Sequence, residues 1–248
     1  MPVTKPLKHK YEIELKPASP FNFDATLHKP DHFPSGDNEW QPGVRWQTML
    51  WQDRPLGLVF RNRGTILSPR IDLSVFSSRE LDQDFLDGIG KEINYRFNLQ
   101  MDLGGFYDRF GGDSVLGPVI GRWRGLRPMN YGSLYEYLMI AIVLQNAAVR
   151  RSVNMLQALF EAYGTRLSFD DHRLFCYWKP GTMHLVSEGD LRDLKLGYRA
   201  KSIQRVTQAF VDGGIDEFQL RRKTIEEQRQ SLLSLYGIGP ASVGYVLF

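Results

Sequence analysis

The residues of this chain best suited to chemistry lie near its end, in Gly237-Ile-Gly-Pro-Ala-Ser242. Glycine permits the positive φ of a tight turn, and proline suits the first position of a helix. A helix beginning there would present the amides of Gly239, Ala241 and Ser242 at its positive end, where backbone N–H groups bind anions such as phosphate. The spacing predicts a helix, a Gly-x-Gly turn and a second helix that together bind a phosphate. Two packed core helices joined by a glycine turn would give the same pattern.

Capping-box pairs predict where the helices that position this turn begin. In such a pair, a Ser or Thr is followed three residues later by an acidic residue, and each side chain binds a free backbone amide of the other. The pairs are Ser77/Glu80, Ser133/Glu136, Ser187/Asp190 and Thr224/Glu227. The helix after Ser133, from Leu134 to about Asn146, is apolar nearly all round and is predicted to be buried. The next helix is predicted to stop at Gly164.

Composition excludes several classes of protein. Hydrophobic residues make up 42% and charged residues 24%, which are globular values. The single cysteine, Cys176, excludes disulfides, a zinc ribbon and a four-cysteine iron–sulfur cluster within the chain, and the five histidines lack zinc-ligand spacing. The N-terminus lacks the apolar region of a secretion signal, and the longest apolar run is too short to span a bilayer. We therefore expect a cytoplasmic or nuclear protein with no membrane partner.

The order of the elements predicts an α+β fold. Strands are expected first, with alternating or apolar runs at Tyr11–Leu15, 44–51, 56–60 and 71–75. We predict a small N-terminal antiparallel sheet domain over residues 1–98, with one covered face and a frayed tail to about residue 10. An all-α domain is predicted over 99–248, with a helix from Ser77 joining the two parts and an irregular stretch from Phe169 to Met183.

Three blocks of the second half resemble the helix-hairpin-helix superfamily of base-excision DNA glycosylases. They are the apolar helix with its following loop, the segment Leu194-Lys-Leu-Gly-Tyr-Arg-Ala-Lys201, and the turn Leu235-Tyr-Gly-Ile-Gly-Pro-Ala-Ser242. The second is similar to the Leu-Gly-Tyr-Arg-Ala signature of 8-oxoguanine glycosylases, and the third to the family hairpin. The preceding sheet, with Phe21-Asn-Phe-Asp24, resembles the N-terminal domain shared by 8-oxoguanine and inducible 3-methyladenine glycosylases. The resemblance implies that a damaged base is flipped out of double-stranded DNA and its N-glycosidic bond is cleaved.

The resemblance also implies roles for individual residues. Hairpin residues would hold a DNA phosphate, and nearby main-chain carbonyls would cradle a structural Na⁺ or K⁺, with no other cofactor. The hairpin residues are Gly237, Gly239, Ala241 and Ser242, and the carbonyls are those of Leu233, Leu235 and Ile238. Asn146 would fill the space left by the flipped base, and Gln145 could share that role. Arg150 and Arg151 would contact phosphate or the unpaired base. The alternative for Asn146 is that it ends its helix, because Asn tolerates the left-handed conformation.

The residues Tyr198, Arg199 and Lys201 of the second block allow two interpretations. They could form a solvated helix start, or contact an anion, because two cations at the positive end of a helix are unfavourable without one. We predict a structural role for Tyr198 and Arg199 and leave Lys201 open.

The chain departs from the family pattern at Ala241 and, as described below, at its C-terminal end. Bifunctional members carry a lysine that forms a Schiff base where this chain has Ala241, so we expect a monofunctional enzyme that uses water as nucleophile. Tyr245 matches an aromatic position that stacks on the flipped base and favours alkylated, cationic purines, although a core tyrosine would also fit.

The catalytic aspartate of the family is expected beyond Phe248, from which we expect a truncated chain or a split product. The prediction is a monomeric glycosylase for alkylated bases. The alternatives are an 8-oxoguanine glycosylase/lyase, which the second block favours, and a non-catalytic DNA-binding module that recognises lesions.

Overall fold

The computed structural model describes residues 4–28, 35–130 and 132–247. Residues 1–3 of the predicted tail and Phe248 lie outside this part of the chain. The first half contains mostly strands, in the order β1 Lys5–Pro6, β2 His9–Leu15, α1 Phe23–Leu27, β3 Asn38–Gln41, β4 Val44–Trp51, β5 Arg54–Asn62, β6 Ile71–Ser77 and α2 Gln83–Arg96. The second half is mostly helical, in the order α3 Gly104–Phe110, α4 Leu116–Arg122, α5 Leu134–Leu144, α6 Val149–Tyr163, β7 Thr165–Phe169, β8 His172–Cys176, α7 Pro180–His184, α8 Glu188–Asp193, α9 Arg199–Val211, α10 Glu217–Leu220, α11 Ile225–Leu233 and α12 Pro240–Val246. The predicted α+β order of strands before helices is confirmed.

Five strands form one antiparallel sheet in the order β2-β6-β5-β4-β3. The four predicted strand runs all lie in it, and β3 is an additional edge strand. Between β4 and β5, Gln52 and Asp53 have φ of 45° and 63°. Two successive left-handed residues match the right-handed twist of a tight hairpin, so the register of β4 on β5 is fixed locally.

Both faces of this sheet are covered, so the prediction of one covered face is wrong. Helices α1 and α2 cover one face, with an apolar cluster that includes Phe23, Leu58 and Ile89. On the other face, Trp46, Val59 and Phe76 pack with apolar residues of β7 and β8. Burial on both faces explains why β5 is a continuous apolar run, since a sheet with one solvated face would alternate.

Strands β7 and β8 form a hairpin in the half that was predicted to be all-α. Strand β7 precedes the predicted irregular stretch except for Phe169, and β8 lies within that stretch. The hairpin is the one sheet-forming segment of the described second half. Its turn residues Asp170 and Asp171 have φ of 47° and 61°. The carboxylate of Asp170 accepts hydrogen bonds from Arg61 Nη2 at 2.6 Å and Trp46 Nε1 at 2.7 Å. A Cβ on Gly57 would lie 2.5 Å from the Phe169 ring, so only glycine lets the hairpin pack this closely. The hairpin therefore attaches the helical half to the five-stranded sheet.

The structure corrects two further predictions about the first half. Lys5 and Pro6 pair in parallel with Leu167 and Ser168, and β2 begins at His9, so the predicted tail contains two strand segments. Helix α2 begins at Gln83, because Ser77 is still paired in β6 and Asp82 instead caps the helix by accepting from the Phe85 amide at 2.8 Å.

The helical half is built around α5, most of whose residues are buried as predicted. Helices α6, α9 and α12 pack on it, α7 packs on α9, and all of them contribute to one apolar cluster. The capping boxes at Ser133, Ser187 and Thr224 all form. The boundary near residue 98 stays a prediction. In the described ranges, no helix is long and apolar enough to cross a membrane.

Candidate nucleic-acid interface

The glycine turn joins α11 to α12 as the sequence predicts, but its two glycines differ. Gly237 has φ +77°, the left-handed conformation that glycine favours. A Cβ there would lie 2.3 Å from Ser202 Oγ, so the turn also packs directly on α9. Gly239 has φ −105° and ψ 178° and is the N-cap of α12, with nothing within 4 Å of an added Cβ. The need for positive φ therefore applies to Gly237 alone, and Gly239 provides open space in front of the turn.

The carbonyl groups of the turn are suited to a hard cation, which prefers oxygen ligands. The Leu235 carbonyl accepts from the Ile238 amide at 3.1 Å, which leaves one of its lone pairs free. Within the described ranges, the structure records no backbone donor to the carbonyls of Leu233 and Ile238. No group of His, Cys, Asp and Glu side chains in the described residues could hold a metal ion. The carbonyl oxygens of Leu233, Leu235 and Ile238 therefore have lone pairs available and are chemically suited to a monovalent cation.

The loop after α5 lies directly against the turn. The Gln145 side chain donates to the Gly237 carbonyl at 2.7 Å, and the Gln145 carbonyl accepts from the Arg199 guanidinium. The Asn146 amide donates to the Tyr198 hydroxyl at 3.2 Å. The three sequence blocks, up to about 90 positions apart, therefore converge on one surface.

Asn146 ends helix α5. It follows the C-cap residue Gln145 and has φ +45°, so the interpretation as a helix stop is confirmed. Its side chain is exposed, which leaves it free to have a second role.

The two neighbouring cations of the second block have different environments. Arg199 is 3% exposed, and its guanidinium contacts carbonyls and the Tyr198 ring, so its structural role is confirmed. Lys201 is exposed and its ammonium lies 5.1 Å from the centre of the Tyr236 ring, beside the turn. Lys201, Arg150 and Arg151 form no ion pair with any carboxylate of the described residues. This surface is therefore positively charged without internal compensation.

Tyr245 is 38% exposed, so it is not a fully buried core residue. Its ring centre lies 5.8 Å from that of Tyr137 on α5, and partial burial raises the pKa of its hydroxyl. Tyr137 is only 8% exposed, so Tyr245 supplies the solvent-facing part of this aromatic pair.

Sequence reasoning missed two buried residues, Ser202 beneath the turn and Tyr137 beside Tyr245. Ser202 is buried under Gly237, and nothing in its local pattern distinguishes it from any other small residue of a helix. Tyr137 lies within the apolar helix and could have been noticed as an aromatic residue near its start.

The arrangement of these elements is found in solved structures of other proteins. The 3-methyladenine DNA glycosylase from Archaeoglobus fulgidus superposes with a TM-score of 0.77 over 95% of this chain and 78% of that protein, at 15% sequence identity. The chain therefore has the same fold as that glycosylase. The 8-oxoguanine glycosylase/lyase of Clostridium acetobutylicum, in complex with double-stranded DNA containing cytosine opposite 8-oxoguanine, gives a TM-score of 0.68 over 97% of this chain and 78% of that protein, at 14% identity.

A relative found by sequence shows the same glycosylase resemblance. The DNA-3-methyladenine glycosylase of Bacillus subtilis (strain 168) is 23% identical over 171 residues, which cover 68% of this chain and 56% of the relative. The match thus spans little more than half the length of that protein. No family model matches the sequence.

Proposed function

We propose that this protein is a DNA N-glycosylase that flips an alkylated base out of double-stranded DNA and hydrolyses its N-glycosidic bond. The observation that carries the proposal is the convergence of the Gln145–Asn146 loop, the Tyr198–Arg199 segment and the Gly237–Ser242 turn on one positively charged surface. The relatives named above support the reaction class. A monomer is sufficient, because every proposed contact comes from one chain.

The turn is proposed to bind one phosphate of the DNA backbone. Gly239 and Ala241 lie at the open front of the turn, where a phosphate oxygen can approach their amides. A cation held by the carbonyls of Leu233, Leu235 and Ile238 would add a positive charge next to that phosphate. Such contacts fix the position of the enzyme on the duplex but carry no sequence information.

The loop after α5 is proposed to fill the space that the flipped base leaves. Asn146 is held at positive φ and its exposed side chain projects beside Tyr198. Gln145 is anchored on the turn, so a phosphate bound there and an inserted Asn146 would keep a fixed separation. Arg150 and Arg151 follow at the exposed start of α6, where they would contact phosphates or the unpaired partner base.

The aromatic pair Tyr245 and Tyr137 is proposed to receive the flipped base. An aromatic face attracts an electron-poor, cationic ring such as an N-alkylated purine more strongly than a neutral base. Ala241 has no amine and forms no Schiff base, so the proposed nucleophile is water.

A second candidate is the excision of 8-oxoguanine with lyase activity. The Leu-Gly-Tyr-Arg-Ala block favours it, as does the likeness to the Clostridium acetobutylicum enzyme. A third candidate, from another class, is a module that binds lesions without cleaving them.

Borohydride trapping on duplexes with 3-methyladenine or 8-oxoguanine tests the proposed chemistry. The assay uses this chain and the full coding sequence that contains it. We expect release of the alkylated base and no covalent adduct, because only a Schiff base is reduced to a stable bond. A trapped adduct would overturn the monofunctional assignment, and binding without base release by either chain would favour the non-catalytic module.

Gly239→Val tests the phosphate contact. The valine side chain would occupy the open space before the turn, and we expect duplex affinity to fall about tenfold, equally for damaged and undamaged DNA. Fluorescence anisotropy at fixed salt measures both affinities. A loss confined to lesion-bearing DNA would contradict a sequence-independent phosphate contact.

A further inference from the structure

A cavity of about 480 Å³ lies where the five-stranded sheet, the β7–β8 hairpin and the helical half meet. We call it the junction cavity. It is lined by β1, the β4–β5 turn, the end of β6, the end of α6, β7 and the segment from β8 into α7. Its volume is in the range of small-molecule sites. Elements from both halves of the chain thus enclose a space large enough for a ligand.

The junction cavity is distant from the proposed DNA surface. Arg150 and Arg151 lie at the start of the 15-residue helix α6, and Tyr163, which lines the cavity, lies at its end. A helix rises about 1.5 Å per residue, so some 20 Å separate the two sites along α6. The cavity is therefore separate from the glycosylase site.

Positive charge dominates the lining of the junction cavity. Its cations are Lys5, Arg54, Arg79 and Lys179, and its one carboxylate is Asp53. Asp53 pairs with Lys179 at 3.4 Å. The other three cations form no ion pair with a carboxylate of the described residues. Like charges around one cavity repel each other, and an anion carrying about three negative charges would neutralise them.

Hydroxyl groups lie among these cations. Ser78, Thr165 and Thr182 line the junction cavity and make no side-chain hydrogen bond recorded within the described ranges. Ser77 is almost fully buried and accepts from the Arg79 amide at 3.3 Å, which leaves its own proton free to donate. Arginine, lysine and hydroxyl donors together are the groups that bind phosphate oxygens.

The remaining wall of the junction cavity is apolar and partly aromatic. Leu50, Pro55 and Leu167 lie there with Tyr163 and Trp178. The Trp178 indole nitrogen already donates to the Tyr135 hydroxyl, so the ring serves the cavity only as apolar surface. A flat base can pack on such a wall while the charged part of the same molecule reaches the cations.

We propose that the junction cavity binds a nucleoside diphosphate, with the diphosphate among Lys5, Arg54 and Arg79 and the base against Tyr163. The charge of a diphosphate near neutral pH matches the three unpaired cations. The apolar wall would bind the nucleoside part of the ligand. Inorganic pyrophosphate has no such part and would leave this wall uncovered. The site is independent of the reaction proposed above.

Isothermal titration of the full chain with ADP, pyrophosphate and adenosine tests this proposal. We expect ADP to bind more tightly than pyrophosphate and adenosine not to bind. Arg79→Gln and Lys5→Gln should each weaken ADP binding about tenfold, because each removes a charge-assisted contact. Lys91→Gln, which removes an exposed cation on α2 outside the cavity, is the matched control and should leave ADP affinity unchanged.

Four outcomes would overturn the assignment. The first is no ADP binding at about 1 mM ligand. The second is equal affinity for pyrophosphate and ADP, which would show that the nucleoside does not contribute to binding. The third is equal affinity of Arg79→Gln and Lys91→Gln for ADP. The fourth is displacement of ADP by undamaged duplex together with a matching loss of duplex affinity in Arg79→Gln, which would make the cavity part of a DNA surface.

Discussion

Gly237→Val is expected to lower the free energy of unfolding by about 3 kcal/mol and to abolish duplex binding. Two physical causes add. The φ of +77° is strained for a β-branched residue, and the new side chain would overlap the buried Ser202, whose Oγ is 2.3 Å from an ideal Cβ. Helix α9 would have to move, and the turn would lose the shape that presents its amides. Urea denaturation measures the first effect and fluorescence anisotropy the second.

Gly239→Val is the matched control, because the same side chain is added two residues away. Nothing lies within 4 Å of a Cβ at Gly239, and its φ of −105° is open to any residue. The expected cost is about 1 kcal/mol, since valine is a poorer N-cap than glycine. Gly237→Ala combined with Ser202→Ala removes the larger overlap, that with the hydroxyl, and keeps the backbone strain together with the 2.9 Å approach to the Cβ of residue 202. Equal destabilisation by the two valine variants would contradict the packing of the turn on α9.

Local sequence patterns predicted the elements whose signals are contained within a few residues. The capping boxes at Ser133, Ser187 and Thr224 form because both partners lie in the same turn of helix. The same pattern failed at Ser77, where pairing with His9, nearly seventy residues earlier, extends β6 through the serine. A local signal is reliable only where no long-range pairing competes for the same backbone groups.

The β7–β8 hairpin shows the limit of such patterns most clearly. Its turn uses Asp170 and Asp171 in the left-handed conformation, where glycine or asparagine would have been a stronger signal. Its stability depends on Arg61, Trp46 and Gly57, more than a hundred residues earlier in the chain. None of these contacts can be read from the sequence around residue 170.

The candidate site was predictable as separate parts but not as an assembly. The Gly-x-Gly turn and the helix stop at Asn146 each follow from the conformational preferences of glycine and asparagine. Their contact depends on the Gln145 side chain reaching the Gly237 carbonyl, and on Arg199 being buried beneath the loop. Tertiary packing converts an arginine that could have been a solvated or phosphate-binding residue into a support for the loop.

Glu136 is expected to destabilise the fold near neutral pH, although it also caps α5. It is 8% exposed, and burial raises its pKa to about 7. The charge of Arg96 and the hydrogen bond that the carboxylate accepts from the Ser133 amide both oppose this rise. In the unfolded chain the same carboxyl would titrate near its ordinary value of 4.5. The folded state therefore holds the proton more tightly, and the stability that this provides is lost as pH rises from about 4.5 to about 7. Above that range a buried carboxylate costs up to about 3 kcal/mol.

Glu136→Gln should remove this cost, because the amide has nearly the same shape, stays neutral and can still accept from Ser133. We expect the variant to exceed the wild type in unfolding free energy by up to about 3 kcal/mol at pH 8 and to match it at pH 3, below both pKa values, measured by urea denaturation. Glu227→Gln is the control, since Glu227 has the same capping-box position at the exposed start of α11. Hydrogen bonds from the backbone and side chain of Thr224 lower the pKa of Glu227, so its carboxylate stabilises the folded state. Glu227→Gln should therefore be less stable than the wild type at pH 8, and this difference should shrink towards pH 3. A pH-independent difference for Glu136→Gln would mean that Glu136 keeps one protonation state throughout, and the cost assigned to its buried charge would be wrong.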